Sequence, residues 1–365
     1  MKNKYKVLVT ARFVKDELKR IETSIGSAMY AGFGVSRKLL QEDQLIRELK
    51  GVDIFISEYE TISGKVIQSS DSLKLIACCR NEPLASIDLD AATERGIPVI
   101  YPPGRNAVSV AEYAFGLMLS ISRNIHEASR LMQHTTELTR ISYRSKTPGR
   151  MNVPSEWSFD PSAPMNRFMG QELAGKVLGI IGIGAIGSQI TTRANAFNMK
   201  VIAHDPYVSD QHIESVGSIR TPLNELMAQS DYVVIAARVR DDNKGLINGD
   251  NLKLMKPTAY LINIARAHLM DYDALYDVLE SESIAGAALD VYPSEPVTED
   301  FPFIQLKNVI LSPHLAGSTN DVVKYHSRMI VDDISLMLEG KEPVNFYNPG
   351  SWENSYFNNN QTKAL

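Results

Sequence analysis

Cysteine is almost absent from this 365-residue chain, which contains only the adjacent Cys78 and Cys79. Both lie in the apolar run 73–79, and neighbouring residues of a strand point to opposite faces, so we expect no disulfide between them. We predict two reduced, buried thiols of a cytoplasmic protein. No spacing of Cys and His suits a zinc site, and we expect no metal.

Long hydrophobic runs are also absent. The first apolar run, 7–10, lies between Lys6 and Arg12 and is shorter than the apolar region of a signal peptide. No run approaches the roughly 18 apolar residues that a membrane span requires. These absences predict a cytoplasmic protein with no membrane partner.

Basic residues do not outnumber acidic ones either. Lys and Arg number 38 against 43 Asp and Glu, which leaves a net charge of −5, so we expect no nucleic-acid partner. The 44% hydrophobic and 22% charged residues are typical of soluble globular proteins. At roughly 150 residues per domain, the length predicts about two domains.

Short apolar runs alternate with amphipathic segments in two blocks, as in parallel sheets covered by helices. We therefore predict an α/β protein with two doubly wound parallel-sheet domains. The predicted strands are 7–10, 54–57, 73–79 and 98–100, then 177–181, 201–204, 232–237, 260–264, 285–289 and 309–311. The predicted helices are 14–23, 42–49, 88–95, 106–132, 185–197, 223–229, 250–255 (a single turn), 272–280 and 319–339.

Residues 133–170 fit neither block and contain several prolines, so we predict a long loop there. This loop carries four basic residues, which either form a solvated surface or cover a binding site: Arg140, Arg144, Lys146 and Arg150. The polar segment 342–365 is predicted to be a C-terminal tail.

A glycine motif follows the second block's first strand. Gly182, Gly184 and Gly187 match G-x-G-x-x-G between the strand 177–181 and a predicted helix, and Asp205 ends the next strand. Gly182 permits a tight turn, Gly184 lets backbone approach a pyrophosphate, and Gly187 lets helix and strand pack closely. This context predicts a dinucleotide site.

The first residues of that helix, Ala185 and Ile186, complete the predicted cofactor site, because a helix N-terminus offers free N–H groups and a partial positive charge. Asp205 can accept hydrogen bonds from ribose hydroxyls but would repel a 2′-phosphate, which favours NAD over NADP. A methyltransferase, which also uses a glycine-rich loop followed by an acid, is the alternative at this point.

The order and spacing of further segments resemble the D-isomer-specific 2-hydroxyacid dehydrogenase family, which includes phosphoglycerate dehydrogenase and the C-terminal-binding corepressors. The segments that carry the resemblance are 87–92, 96–99, 104–112, 170–176, 261–266, 286–291, 295–296 and 312–319. The resemblance implies a flavodoxin-like substrate domain (1–105 and 313–341), a Rossmann NAD-binding domain (106–312), an active site in the cleft between them and a homodimer.

The family's catalytic Arg, Glu and His fall on Arg266, Glu295 and His314. The resemblance implies that His314 is the general acid and base, that Glu295 stabilises its imidazolium form, and that Arg266 binds the substrate carboxylate. It also places Asp290 near the nicotinamide carboxamide, and we group Ala265 with the cofactor-binding residues.

Substrate contacts are predicted for Asn106, at the hinge between the domains, and for the backbone of Leu84 and Ala85. The family has a glycine-rich loop where this chain has 80–86, which contains no glycine and includes Pro83, a residue without an N–H group.

At two further places this sequence differs from the family pattern, and the differences bear on the predicted substrate and cofactor. Where phosphoglycerate dehydrogenases carry arginines near the substrate phosphate, this chain has Glu58 and Glu60, which we expect to repel a phosphate. A His-x-Pro of the family is replaced by 236–238, and Arg238 and Arg240 near the adenosine would weaken the preference for NAD.

We therefore predict an NAD-dependent oxidoreductase that acts on a D-2-hydroxy acid or the matching 2-oxo acid. The alternatives are a 3-phosphoglycerate dehydrogenase specifically, and a non-catalytic NAD(H)-sensing protein of the same family. The motifs do not separate these possibilities.

Overall fold

A computed structural model describes residues 5–135, 138 and 164–359 of the chain. Arg140, Arg144, Lys146 and Arg150, predicted to lie in a loop, are outside the described residues. The chain divides into two compact units, one formed by 1–106 with 319–365 and the other by 107–318.

The first unit is built on a five-stranded parallel sheet with the order β2-β1-β3-β4-β5. Its strands are β1 (Tyr5–Val9), β2 (Gly26–Tyr30), β3 (Ile54–Ser57), β4 (Leu75–Cys78) and β5 (Val99–Ile100). Its N-terminal helices are α1 (Lys15–Arg20), which a π-helical turn extends over Ile21–Ile25, α2 (Gly32–Ser36), α3 (Glu42–Glu48), α4 (Gly64–Gln68) and α5 (Leu89–Glu94). This strand order is that of flavodoxin-like folds, as predicted.

Both faces of this sheet are buried, as the continuous apolar character of β3 and β4 requires. Cys78 packs in the core on one face and Cys79 in the core on the other, and both are free thiols. Burial raises the pKa of each thiol, so neither is a thiolate nucleophile at neutral pH.

The second unit contains a seven-stranded parallel sheet with the order β12-β11-β10-β9-β6-β7-β8. Its strands are β6 (Val177–Ile181), β7 (Lys200–His204), β8 (Ile219–Arg220), β9 (Tyr232–Ile235), β10 (Tyr260–Asn263), β11 (Gly286–Leu289) and β12 (Val309–Leu311). Its helices are α6 (Ala107–Ser122), α7 (Ile125–His134), α8 (Pro164–Arg167), α9 (Ala185–Ala196), α10 (Asp210–Ser215), α11 (Leu223–Gln229), α12 (Gly249–Leu252) and α13 (Tyr272–Glu280). Counted within the unit, the order is that of a Rossmann sheet with one further strand, as predicted.

The chain then returns to the first unit through α14 (Val322–Leu338) and the short α15 (Tyr356–Asn359). Ile330 and Ile334 of α14 are fully buried in that unit's core. Asn348 accepts a hydrogen bond from the Val99 N–H at 2.7 Å and donates one to the Ile97 carbonyl at 3.1 Å. The predicted tail 342–365 is therefore, as far as residue 359, a part of the first unit that covers the edge strand β5.

The unit boundaries differ slightly from the predicted ones. Residues 313–318 group with the second unit, whereas the resemblance placed them in the substrate domain. These residues group with the second unit because its Asp290 accepts hydrogen bonds from the backbone of Leu315 and Ala316.

None of the described helices combines the length and the hydropathy that a membrane span needs.

Candidate active site

The glycine turn between β6 and α9 has the shape that the motif predicts. Gly182 has a φ of +96°, and a Cβ there would lie 2.6 Å from the backbone of Ala237. A Cβ on Gly187 would lie 2.0 Å from the Gly182 carbonyl oxygen. A Cβ on Gly184 would meet no atom within 4 Å, so the turn is open on the side where a ligand can approach. Glycine is thus required by close packing at two positions and leaves open space at the third.

The helix α9 begins directly after Gly184, which is its N-cap. The N–H groups of Ala185 and Ile186, in its first turn, have no carbonyl one turn back along the helix to bond with. Because the helix dipole also places partial positive charge there, this end of α9 suits the pyrophosphate of a dinucleotide. The residues present therefore fit the phosphate part of NAD.

Asp205 follows β7, and its carboxylate lies against the glycine turn. Its two oxygens accept hydrogen bonds from the N–H of Ile183 at 2.8 Å and from the N–H of Tyr207 at 2.9 Å. Each carboxylate oxygen keeps a further lone pair, so Asp205 can still accept hydrogen bonds from ribose hydroxyls. The donor and acceptor set at this end of the unit fits the adenosine part of NAD.

His314 and Glu295 form the central pair of the site. The Nδ1 atom of His314 lies 2.7 Å from Oε2 of Glu295, and the two side chains are 45% and 38% exposed. Burial acts to raise the pKa of Glu295, but hydrogen bonds from His314 and the Tyr292 N–H, with the charges of His314 and Arg266, hold this pKa below its usual value. Since a carboxylate can only accept, Nδ1 carries the hydrogen and Nε2 is left to exchange protons with a substrate.

The backbone of His314 is strained, with a φ of +53°. The buried Asp290 stabilises this turn, because its carboxylate accepts hydrogen bonds from the Ser312 hydroxyl at 2.6 Å and from the N–H groups of Leu315 and Ala316 at 2.8 Å. The described hydrogen bonds of the Asp290 carboxylate are thus with the histidine's own loop, whereas the resemblance implied a contact with the nicotinamide carboxamide.

We expect Asp290→Asn to lower kcat at least tenfold and to destabilise the protein by about 2 kcal/mol, because an amide cannot accept all three of these hydrogen bonds and one donor loses its partner. Steady-state kinetics and urea unfolding measure the two effects. Ser312→Ala, which removes one of the three donors, is the matched control and should have a smaller effect on both. A selective loss of NADH affinity with unchanged kcat would instead assign Asp290 to the cofactor.

Arg266 follows β10 and begins a short 3₁₀ turn over Ala267–Leu269. Asn263, fully buried at the end of β10, accepts a hydrogen bond from the Ala265 N–H at 3.1 Å and donates one to the Arg266 carbonyl at 3.2 Å. The Arg266 guanidinium donates to the Ala265 carbonyl at 2.7 Å. Ala265 is predicted to bind the cofactor. Its backbone N–H and carbonyl are both already hydrogen-bonded within this turn.

The three catalytic candidates follow three neighbouring strands of one sheet, β10, β11 and β12. The carboxyl ends of parallel strands share one edge, so Arg266, Glu295 and His314 lie at the edge where open α/β sheets bind ligands. The glycine turn follows β6 at the same edge, four strand spacings from β12, or about 19 Å at ~4.8 Å per spacing. A ligand bound at the turn must therefore extend across β9, β10 and β11 to reach His314.

The predicted substrate contacts in the first unit have separate surroundings. Asn106 accepts a hydrogen bond from the Asn81 amide at 2.9 Å, and the buried Oδ1 of Asn81 has no partner among the described residues. Leu84 and Ala85 lie in a 3₁₀ turn over Pro83–Ala85, and the Ala85 N–H donates to the Glu82 carbonyl at 3.3 Å. The Ala85 N–H is thus already hydrogen-bonded within the turn, whereas Leu84 is 67% exposed. The substrate contacts of both residues stay predictions.

Sequence reasoning missed the residues that hold the catalytic ones in place. Asn263 and Ser312 shape the turns that carry Arg266 and His314, and the Tyr292 N–H donates to Glu295 at 3.1 Å. The available signal was a polar residue at the end of an apolar strand, as in Leu261-Ile262-Asn263. A buried polar residue there needs partners, and the nearest unpaired groups are those of the turn that follows.

Comparison with known proteins identifies the family of the chain. The family model described as D-isomer specific 2-hydroxyacid dehydrogenase, NAD binding domain, matches residues 115–316. The chain belongs to this family. The match covers most of the second unit, including the glycine turn and all three catalytic candidates, so the second unit is the NAD-binding domain of an oxidoreductase.

Individual relatives of the family align over most of the chain. The assigned 2-hydroxyacid dehydrogenase YoaD of Bacillus subtilis is 33% identical over 324 residues, which cover 88% of this chain and 87% of that protein. D-3-phosphoglycerate dehydrogenase of Methanocaldococcus jannaschii is 33% identical over 345 residues, and these span 94% of this chain but 59% of the longer relative. The crystal structure of an assigned D-isomer specific, NAD-binding 2-hydroxyacid dehydrogenase from Polaromonas sp. is 26% identical, covers 94% of this chain and 99% of its own, and has a TM-score of 0.72.

Proposed function

We propose that this family member transfers a hydride between NAD and the C2 carbon of a D-2-hydroxy acid, with His314 as general acid and base. The observation that carries the proposal is the 2.7 Å pair of His314 and Glu295 on the sheet edge that also bears the open glycine turn and Arg266. The first unit would bind the substrate and the second the cofactor.

Each of the three candidate catalytic residues has its own role in the proposed reaction. In the oxidation of a hydroxy acid, Nε2 of His314 accepts the hydroxyl proton, and the Glu295 carboxylate stabilises the imidazolium that forms. In the reduction of an oxo acid, the same nitrogen donates the proton to the carbonyl oxygen. Arg266 binds the substrate carboxylate through its planar guanidinium, which orients C2 and polarises its oxygen. Bound NAD accepts the hydride in oxidation, and NADH supplies it in reduction.

The pH profile should depend on Glu295. We expect Glu295→Gln to shift the optimum of oxo-acid reduction to lower pH and to lower the maximal rate at least tenfold, because reduction requires protonated His314 and the amide no longer stabilises its positive charge. The measurement is NADH consumption between pH 4.5 and 9. An optimum that moved to higher pH, or did not move, would contradict the pairing.

The function itself is tested with a panel of 2-oxo acids that includes glyoxylate, pyruvate, hydroxypyruvate, branched and sugar-derived acids and 3-phosphohydroxypyruvate. We expect NADH-dependent reduction of at least one of them and formation of the D-hydroxy acid. Tight NADH binding with no turnover on the whole panel would instead support an NAD-sensing protein. Strong preference for 3-phosphohydroxypyruvate would identify a 3-phosphoglycerate dehydrogenase, the activity named for the Methanocaldococcus relative.

We further propose a cytoplasmic homodimer. The two buried cysteines are free thiols, as is usual in proteins of a reducing compartment, and the family resemblance implies the dimer. Sedimentation equilibrium measures the mass directly, and a monomer at micromolar concentration would exclude the dimer.

A further inference from the structure

A hydrogen bond joins the two loops on either side of the glycine turn. In the sheet of the second unit, β6 lies between β7 and β9, so the loops that follow β7 and β9 flank the turn that follows β6. Tyr207 belongs to the loop after β7, and its hydroxyl donates to Oδ2 of Asp242, in the loop after β9, at 2.6 Å. We call Tyr207, Asp242 and the neighbouring Arg240 the adenosine-side bridge.

Charge and stacking hold the adenosine-side bridge together. A hydroxyl that donates to a carboxylate makes one of the stronger hydrogen bonds in proteins, and this bond raises the pKa of Tyr207, so the hydroxyl stays protonated at neutral pH. The Arg240 guanidinium lies 4.3 Å from the centre of the Tyr207 ring, and its Nε atom lies 3.7 Å from Oδ1 of Asp242. Arg240 therefore stacks on one member of the bridge and has its charge offset by the other.

The adenosine-side bridge starts beside the carboxylate that suits the ribose. The N–H of Tyr207 donates to Oδ1 of Asp205 at 2.9 Å, so the residue whose ring forms the bridge also helps to fix this carboxylate. An acid at this position of a Rossmann sheet binds the ribose 2′-hydroxyl of NAD, which is the hydroxyl that carries the additional phosphate of NADP. Arg240 and Asp242, which contact Tyr207, are thus in a position to act on a 2′-phosphate.

The other basic residues at this end have different surroundings. Arg220 donates to the carboxylate of Asp210 and to the backbone carbonyl of Asp205, so its donors are used in holding the loop after β7. Arg238 is exposed and has no acidic partner among the described residues. Arg240 is thus the basic residue whose freedom to bind a phosphate depends on the bridge.

We propose that the adenosine-side bridge determines the choice between NAD and NADP. While Arg240 stacks on Tyr207 and pairs with Asp242, its guanidinium is withheld from a 2′-phosphate. The carboxylates of Asp205 and Asp242 repel that phosphate, whereas the uncharged ribose hydroxyls of NAD meet no such repulsion. Arg240 therefore does not weaken the preference for NAD as long as the bridge is intact.

Equilibrium binding tests the proposal without turnover. The selectivity ratio is the dissociation constant of NADPH divided by that of NADH, each measured by fluorescence titration. We expect a ratio above about 100 in the wild type and one about 10-fold lower in Asp242→Asn, which removes a repelling charge and releases Arg240 from its carboxylate. Tyr207→Phe, which loses only the hydroxyl, should lower the ratio about threefold. The dissociation constant of NADH should change less than about threefold in both variants, because neither removes a group that binds the unphosphorylated ribose.

The matched control is Asp241→Asn, the same change at the preceding residue, whose exposed carboxylate pairs with Lys244 at 2.8 Å. It should keep the ratio within about twofold of the wild type, since exposed ion pairs contribute little. A double variant then identifies the cation that binds the phosphate. Adding Arg240→Gln to Asp242→Asn should raise the ratio again at least about fivefold, whereas Arg240→Gln alone should change it less than about twofold.

Three results would overturn the proposal: a wild type that binds NADPH as tightly as NADH, equal ratios in Asp242→Asn and Asp241→Asn, or a double variant that keeps the low ratio. The last result would assign the phosphate contact to another cation, such as Arg238. Because the ratio is measured without substrate, it applies equally to a dehydrogenase and to an NADH-binding protein without turnover. Failure of the proposed hydride transfer therefore leaves this test intact.

Discussion

His314→Ala should lower kcat for oxo-acid reduction about 1000-fold, because general acid–base catalysis contributes roughly 10²- to 10⁴-fold and no other group is placed to replace Nε2 in the described site. The dissociation constant of NADH should change less than twofold, since His314 has no part in the glycine turn or in the hydrogen bonds of Asp205. NADH fluorescence titration and stopped-flow reduction measure the two quantities separately.

The control is His134→Ala, which removes an exposed imidazole from the last turn of α7 in the same unit. We expect this variant to behave like the wild type. If His314→Ala lost NADH affinity in proportion to kcat, the histidine would be a cofactor or structural residue, and the assignment of the acid–base role would fail.

Arg266→Gln should lower kcat/KM about 300-fold, because the loss of one partner from a hydrogen-bonded pair of charges typically costs a few kcal/mol. Part of the loss should be a higher KM, since the substrate carboxylate loses its cation. The substitution also removes a positive charge that helps to lower the pKa of Glu295, so this pKa should rise towards its usual value. Kinetics across a pH series would reveal both changes.

The same substitution at another arginine of this unit shows whether the position of the lost charge matters. Arg123→Gln changes an exposed arginine between α6 and α7 and should leave kcat/KM within a factor of two. Equal losses in the two variants would show that overall charge, and not a contact with the substrate, explains the effect of Arg266.

The buried strands of the fold were predictable because their apolar residues form unbroken runs, as in Ile54–Ser57, which is observed with the predicted bounds. The edge strand Gly26–Tyr30 was missed, because its small and exposed residues carry no such run. The predicted helix 106–132 is two helices, since Asn124 adopts a left-handed conformation with a φ of +51° that an α-helix cannot continue.

The candidate site was predictable only in part. Arg266, Glu295 and His314 could be named because each belongs to a motif that resembles a family. The role of Asp290 was not foreseen, because its hydrogen bonds run to backbone N–H groups, which any residue can present. The ion pair of Glu58 was not foreseen either, because its partner Arg12 lies 46 residues away and only the fold brings the two together.

The insertion of one unit into the other affects how the chain folds during synthesis. The NAD-binding unit is continuous and can fold as soon as it has left the ribosome. The other unit is translated first but lacks Ile330, Ile334 and Asn348, so its core and the edge of β5 stay exposed until the last segment emerges. The half of the protein that is made first is thus completed last, and during that interval it is the part that needs protection from aggregation.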